Sequence, residues 1–114
     1  MAKIISISLF LIITSISYSI NITEEGVLFE YEDENAKSVY LVGSMNGWDT
    51  TATPMSKDED GVWSILLKLD YGDYTYKYMV DGNWQFDQQN PQFEDDGYGG
   101  SNSVIKYNGQ DNDN

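Results

Sequence analysis

The chain has 114 residues with 19 acidic residues against 6 basic ones, a formal net charge of −13, and this length suits one domain with one modest core. It contains neither Cys nor His, which excludes disulfides, Ser–His–Asp and Cys–His nucleophiles, and zinc sites of the usual kind. The acidic surface disfavours nucleic acid and anionic lipid as partners, because both are held through Lys and Arg at phosphate groups.

The first 19 residues have the order of a secretory signal peptide. Lys3 supplies one positive charge, residues 4–16 are almost uninterrupted apolar sequence, and small residues occupy the −3 and −1 positions of a cut after Ser19. The apolar run is short for a membrane span, which needs about 20 residues. An uncleaved amphipathic anchor, a buried first strand and a cut after Ser17 are the alternatives. We expect residues 1–19 to be removed and the mature protein to be exported, periplasmic or extracellular, and free of the membrane.

Short apolar runs with a period of two follow this leader. After a polar lead-in over residues 21–26, four runs alternate in the way of half-buried strands: 27–31, 39–42, 63–69 and 74–80. Asp81-Gly82 predicts a tight hairpin turn, because such turns need the positive φ that Gly adopts freely. Further short strands are predicted at 84–86 and 104–107.

The rest of the chain is predicted to be irregular. Residues 50–61 and 87–101 read as loops, and the polar tail 108–114 offers no apolar residue to bury, so we expect it to be disordered. Beyond the leader no stretch sustains a helical 3.6 period. About seven short strands in residues 20–107 therefore predict an all-β sandwich. Its predicted core comprises Val27, Phe29, Val39, Leu41, Trp63, Ile65, Leu67, Tyr76, Tyr78 and Val80.

Three Trp residues differ in context. Trp63 lies in an alternating apolar strand and is predicted to be core, whereas Trp48 lies in a polar loop and Trp84 follows the hairpin turn. Exposed indoles are unusual unless they contact a partner, and their flat faces suit the apolar side of a pyranose ring. Lys77, on the strand face opposite the predicted core, and Asn102 could supply hydrogen bonds to sugar hydroxyls. Taken singly, each is more often a solvated lysine or a turn former.

Two sequence blocks resemble carbohydrate-binding modules of family 48. Residues 39–48, V-Y-L-V-G-S-M-N-G-W, are similar to the signature V-Y-L-x-G-S-F-N-x-W, and residues 61–84 are similar to G-x-W…G-x-x-x-Y-K-F-x-V-D-G-x-W. A third block, N-S-V-I at residues 102–105, resembles the closing N-N-I-I. The family includes the isoamylase N-terminal domain and the glycogen-binding domain of the AMP-activated protein kinase β subunit.

This resemblance implies an early-set immunoglobulin-like β-sandwich and a glucan site. In glycogen-binding members two Trp, a strand Lys and an Asn contact the glucan, and the matching positions here are Trp48, Trp84, Lys77 and Asn102. A bulky aliphatic residue of the last loop, which presses on the sugar ring in the kinase domain, is matched by Tyr98. Family members usually sit beside a catalytic barrel or a kinase partner, so we expect this chain to bind glucan alone or with a partner enzyme.

The expected function is therefore non-catalytic binding of α-glucan, as glycogen, starch or maltooligosaccharide, with no cofactor and no metal. A protein-interaction or scaffold domain of the same fold is the main alternative. A small glycosidase is another, although it needs a carboxyl group in an apolar pocket that a sandwich of this size rarely forms. Calcium is disfavoured, because the loop that opens at Ser56 has Leu67 where Glu should stand. Residues 94–96 are a conceivable but weaker calcium site.

Overall fold

The computed structural model describes residues 20–108, which form nine β-strands in two antiparallel sheets. The four-stranded sheet has the order β1-β2-β5-β4, and its strands are β1 (Ile20–Thr23), β2 (Gly26–Glu32), β4 (Ser56–Lys57) and β5 (Val62–Leu67). The five-stranded sheet has the order β3-β6-β9-β8, with β7 paired to β6, and its strands are β3 (Val39–Gly43), β6 (Gly72–Val80), β7 (Asn83–Gln85), β8 (Phe93–Asp95) and β9 (Ser101–Tyr107).

The all-β prediction is confirmed, and two antiparallel sheets are consistent with a sandwich. The immunoglobulin-like subclass stays a prediction. The signal peptide predicted at residues 1–19 and the tail predicted from residue 108 lie outside the described residues, apart from Asn108. Because residues 20–108 contain no α-helix, this part of the chain has no helix that could span a membrane.

Three segments predicted to be irregular contain strands instead. The polar lead-in forms β1, which pairs with β2 in a hairpin, and the two predicted loops contain β4 and β8. Strands β4 and β8 have two and three residues, all of them exposed. A short exposed strand has no buried face, so its sequence carries no alternation of apolar and polar residues from which it could be predicted.

The core lies between the sheets and is close to the predicted one. Eight of the ten predicted residues are buried, and the other two, Ile65 and Leu67, are partly buried and pack against the cluster. Ala36, Met55 and Ile105 join it. Buried aromatic residues also satisfy their polar atoms: the Trp63 indole N–H donates to the Asp33 carbonyl at 2.9 Å. Apolar burial is therefore the main term that holds the two sheets together.

Strand β6 has one face in this core and the other on the outside of the sheet. Tyr76, Tyr78 and Val80 are buried in the core, so the residues between them point outward. The register places Trp84 opposite Met79 and Val42 opposite Lys77, and cross-strand partners share a face. Val42, which was not predicted as core, is fully buried on this outer side. The outer face of β6 is thus where Lys77 and Trp84 come together.

Candidate functional site

An open cleft of about 850 Å³ lies on the outer face of the five-stranded sheet. All five residues predicted to bind a sugar line it, and they come from three strands, β6, β7 and β9, and from the loops that follow β3 and β8. The full lining is Trp48, Thr75, Lys77, Trp84, Asp96, Tyr98, Gly99, Gly100 and Asn102. The structure thus brings the predicted site residues together, while their role in binding stays a prediction.

The two site indoles are exposed and the core indole is not. Trp48 is 37% exposed and Trp84 48%, whereas Trp63 is 7% exposed, as their sequence contexts predicted. The ring centroids of Trp48 and Trp84 lie 6.5 Å apart, and the ring planes meet at 61°. The two rings therefore form one angled aromatic surface rather than two separate patches.

Trp48 is held at the end of a tight loop. A 3-10 turn at Ser44–Asn46 follows β3, and Gly47 and Trp48 then both adopt left-handed conformations, with φ of 68° and 60°. The Trp48 amide donates to the Gly43 carbonyl at 2.8 Å. A positive φ is a rare conformation for a bulky residue and costs about 1–3 kcal/mol, so the surrounding structure must fix it.

Asn46 supplies much of that constraint. Its side-chain oxygen accepts from the Gly43 amide at 3.0 Å, and its side-chain nitrogen donates to the Leu41 carbonyl and to the Thr53 hydroxyl, both at 2.9 Å. One amide side chain thus joins the end of β3 to the following loop. The Asn of the S-M-N-G-W segment is therefore a structural residue that orients the Trp48 loop.

Trp84 is positioned by the hairpin that joins β6 and β7. Asp81 and Gly82 have φ of 50° and 82°, the pair of positive values that a two-residue type I′ turn requires. The Asp81 carboxylate accepts from the amides of Lys37 and Ser38 at 2.8 and 2.9 Å, which ties the turn to the segment before β3. Trp84 therefore projects from a rigid hairpin.

Lys77 forms an ion pair that the sequence did not predict. Its Nζ donates to Oδ2 of Asp96 at 2.6 Å, and the same Nζ lies 5.9 Å from the centroid of the Trp84 ring. An ammonium at this range of an indole face is attracted by the ring. Lys77 thus contacts an aromatic ring and a carboxylate at once, and its remaining N–H groups are available as donors to a ligand.

Asp96 also organises the loop that carries Tyr98. Its Oδ1 accepts from the Tyr98 amide at 2.7 Å and from the Gly100 amide at 3.0 Å, and its own amide donates to the Gly100 carbonyl at 3.1 Å. The hydrogen bond from Lys77, followed by those two amides, lowers the pKa of Asp96 from its usual 3.8 to about 2. The carboxylate is therefore ionised at any ordinary pH.

Hydrogen bonds within the protein occupy two carboxylates of the acidic run at residues 94–96, which the sequence offers as a conceivable calcium site. Asp96 is committed to Lys77 and two amides, and Asp95 accepts from the Gly97 amide at 2.7 Å. Within residues 20–108 no group of three acidic side chains is arranged to hold a metal ion. The sequence signal for a loop folded around a carboxylate was D-D-G-Y-G-G at residues 95–100, in which a Gly-rich turn follows the acidic residues.

The two other predicted site residues are Tyr98, in the loop between β8 and β9, and Asn102, near the start of β9. Tyr98 is almost fully exposed, with its ring free to meet a ligand. Asn102 lies on β9, opposite Glu94 of β8, and is partly buried. Val104, two residues further along β9, is the cross-strand partner of Thr75, so Asn102 lies on the same outer face as Thr75. The site therefore combines three flat rings with an amine and an amide.

Comparison with known proteins defines the family. Residues 26–113 match the family model described as the glycogen recognition site of AMP-activated protein kinase, which is most of the chain. The chain belongs to this family. The resemblance seen in the sequence motifs is thereby confirmed, and the family is one of carbohydrate-binding domains.

Several curated proteins are similar to part of this chain. The chain is 41% identical over 71 residues to "Protein PTST homolog 2, chloroplastic" of Arabidopsis thaliana, a match that covers 62% of this chain and 13% of that protein. It is 42% identical over 60 residues to a 1,4-alpha-glucan branching enzyme of Aquifex aeolicus, covering 50% of this chain and 10% of the enzyme. "Protein FLOURY ENDOSPERM 6, chloroplastic" of rice is 38% identical over 63 residues, covering 55% and 12%. The chain spans only a small part of each.

Proposed function

We propose that this protein is a non-catalytic α-glucan-binding module that takes glucose units of glycogen, starch or maltooligosaccharides onto Trp48 and Trp84. The observation that carries the proposal is the meeting of two exposed indoles, whose ring centroids lie 6.5 Å apart, with the ammonium of Lys77 against the Trp84 ring. Family membership supports it, because the matched family is described by its recognition of glycogen. The relatives named as branching enzymes act on α-glucans, which is the same ligand class.

The physical basis is stacking of apolar sugar faces on exposed rings. One side of a pyranose ring is lined by C–H groups, and placing it on an indole removes apolar surface of both from water. Aromatic stacking adds about 0.5–1.5 kcal/mol per ring beyond area burial. Two rings of this kind give weak binding to a short sugar. Effective concentration raises the affinity for a polymer where two or more such modules are linked and bind it together.

The angle between the indoles favours a curved ligand. Planes that meet at 61° cannot both lie flat against one straight, ribbon-like chain. Successive glucose units of an α-1,4-linked chain turn relative to each other, so two neighbouring units can each lie on one ring. We therefore expect maltooligosaccharides to bind and straight β-1,4-linked cellooligosaccharides to bind far less.

Polar side chains around the rings match the hydroxyl groups of such a ligand. Lys77 has N–H donors beyond the one that Asp96 accepts, and Asn102 offers both a donor and an acceptor. Tyr98 adds a third exposed ring at the rim. A neutral sugar is also indifferent to the net charge of −13, which would repel an anionic ligand.

The carboxylate in the cleft argues against hydrolysis. A glycosidase uses two carboxyl groups, one of which must keep its proton to act as an acid. Among the residues that line this cleft, Asp96 is the single carboxylate, and its pKa of about 2 keeps it ionised. This chemistry supports binding without cleavage.

Calorimetric titration with maltoheptaose and native electrophoresis in gels that contain glycogen test the proposal. We expect the wild type to bind and to be retarded, and Trp48→Ala and Trp84→Ala each to lose about tenfold or more in affinity, since a stacked ring is removed. Tyr71→Ala is the matched control, because Tyr71 is an exposed aromatic residue outside the cleft, packed on Tyr107. Normal migration of the wild type in every α-glucan gel would falsify the proposal.

Two wider proposals concern where and with what the module acts. We propose that it is exported after removal of residues 1–19, on the charged, apolar and small-residue order of that segment. We also propose that it acts on glucan beside a partner enzyme, since relatives carry this domain within much larger proteins. The mass of the mature protein from its native host tests the first, with Ile20 as the expected new N-terminus.

A further inference from the structure

Asp96 connects three parts of the cleft that are separate in the sequence. One oxygen accepts from Lys77 of β6, and the other accepts from the amides of Tyr98 and Gly100. Lys77 in turn lies against the Trp84 ring. A single carboxylate thus joins the strand, the hairpin ring and the loop that carries Tyr98.

We propose that Asp96 is a positioning residue for glucan binding, which pre-forms the site by fixing Lys77 against Trp84 and by folding residues 96–100 around its own carboxylate. The inference rests on the proposed α-glucan function. It assigns Asp96 no contact with the sugar. Its effect on affinity passes through Lys77 and through the Tyr98 loop.

The other ion pair of the described chain shows why this one can position a side chain. The Lys77–Asp96 pair has an N–O distance of 2.6 Å, and its side chains are only 17% and 9% exposed. Lys106 and Asp73 lie 3.7 Å apart, and their side chains are 64% and 71% exposed. Exposed pairs contribute little because water screens them and both side chains stay mobile. The shielded pair instead holds Lys77 in one conformation.

Holding Lys77 in place matters because a free lysine has many rotamers. Immobilising such a side chain on binding weakens the affinity, and a protein that has already fixed it avoids this loss. The loop is constrained in the same way. A Cβ at Gly100 would lie 2.9 Å from Oδ2 of Asp96, so the backbone closes tightly over the carboxylate. The site is therefore assembled before the sugar arrives.

Asp96→Asn separates the two contacts of the carboxylate. The Asn oxygen can still accept from the Tyr98 and Gly100 amides, whereas its NH₂ group faces the Lys77 ammonium and cannot accept from it. We expect affinity for maltoheptaose to fall about three- to tenfold, the range for one long side chain that must be ordered on binding. Asp96→Ala removes both contacts. We expect it to lose more affinity and to speed hydrogen exchange at the Tyr98 and Gly100 amides.

A double-mutant cycle tests whether the effect passes through Lys77. In a Lys77→Met background, Asp96→Asn should cost little further affinity, because the ammonium that it positions is gone. Asp73→Asn, which breaks the exposed pair, is the matched control and should bind as the wild type does. In the nuclear magnetic resonance (NMR) spectrum, Asp96→Asn should shift the indole N–H resonance of Trp84 and leave that of Trp63 unchanged.

The outcomes separate this inference from the proposed function. Wild-type affinity in Asp96→Asn, or the same loss in the Lys77→Met background, would overturn the positioning role while leaving glucan binding intact. A wild type that binds no α-glucan would instead overturn the proposed function. The Trp84 resonance and the amide exchange of the Tyr98 loop then still decide whether Asp96 couples these parts, and an unmoved resonance with unchanged exchange would refute it.

Discussion

The two faces of β6 each pair a side chain with a carboxylate at 2.6 Å, and the pairs serve different ends. On the inner face the Tyr76 hydroxyl donates to Asp87, and both residues are buried. On the outer face Lys77 donates to Asp96 at the edge of an open cleft. The inner pair satisfies polar atoms within the core, whereas the outer pair arranges groups that face solvent.

The two contacts have the same length but different surroundings, so distance alone does not tell what a polar contact does. A buried carboxylate must keep its hydrogen bonds because water cannot replace them, so its loss acts on stability. The Asp96 side chain is only 9% exposed, but it lies at the edge of an open cleft that water can enter once a partner is removed, so its loss acts mainly on the geometry around it. Variants on the inner face should change the free energy of unfolding, and variants on the outer face should change affinity.

Trp63→Ala should show the largest effect, because Trp63 lies in the core that the inner face of β6 also lines. The substitution leaves a large cavity and removes the hydrogen bond to the Asp33 carbonyl, so we expect a loss of about 3–5 kcal/mol in the free energy of unfolding. Urea denaturation followed by circular dichroism measures it. Trp84→Ala, the exposed counterpart, should change that free energy by less than about 0.5 kcal/mol. Similar losses in both variants would erase the distinction.

Asp87→Ala should have the next largest effect. It takes the acceptor from the Tyr76 hydroxyl and from the Gln89 amide, and we expect a loss of about 1–3 kcal/mol in stability. Measured on the folded protein below its unfolding transition, the affinity for maltoheptaose should equal that of the wild type. A drop in affinity with unchanged stability would reverse the roles assigned to the two faces.

The outer pair should respond to acid in a defined direction. The pKa of Asp96 in the folded protein is about 2, below the usual 3.8. The ion pair with Lys77 is therefore fully present above about pH 4 and is lost as the pH falls through about 2. Affinity for maltoheptaose should therefore stay constant from about pH 8 to 5 and decline only below about pH 4. Near-ultraviolet circular dichroism checks that the core is intact at each pH. In Asp96→Asn, the part of the fall in affinity that comes from losing the ion pair should be absent.

Tyr98→Ala should have the smallest effect. Its ring is almost fully exposed and its backbone, not its side chain, holds the loop, so stability should not change. We expect a loss of about two- to fourfold in affinity, less than for Trp84→Ala, because an almost fully exposed rim ring must be ordered on binding. A loss as large as that of Trp84→Ala would make Tyr98 a main stacking surface instead.

The sequence allowed a good deal of this to be predicted, for an identifiable reason. Alternation along β6 separated Tyr76 and Tyr78 from Lys77, and the polar context of Trp48 and Trp84 distinguished them from Trp63. These signals are local, because a strand alternates its faces residue by residue. The core and the surface indoles could therefore be read from short stretches of the chain.

Asp96 and Asp87 could not be predicted in the same way. Each lies in a segment that looked like a polar loop, and its role depends on a partner 19 or 11 residues away that only the folded sheet brings near. Among many acidic residues, nothing local marks the two that are paired. The strands β4 and β8 were missed because they are short, exposed and stabilised by neighbouring strands.

The most direct test of glucan binding at the angled indoles is a maltoheptaose titration followed by the three indole N–H resonances in NMR spectra. We expect the Trp48 and Trp84 resonances to move together with one binding curve, while the Trp63 resonance stays in place. Movement of Trp63 alone, or no movement of any indole at saturating sugar, would contradict it.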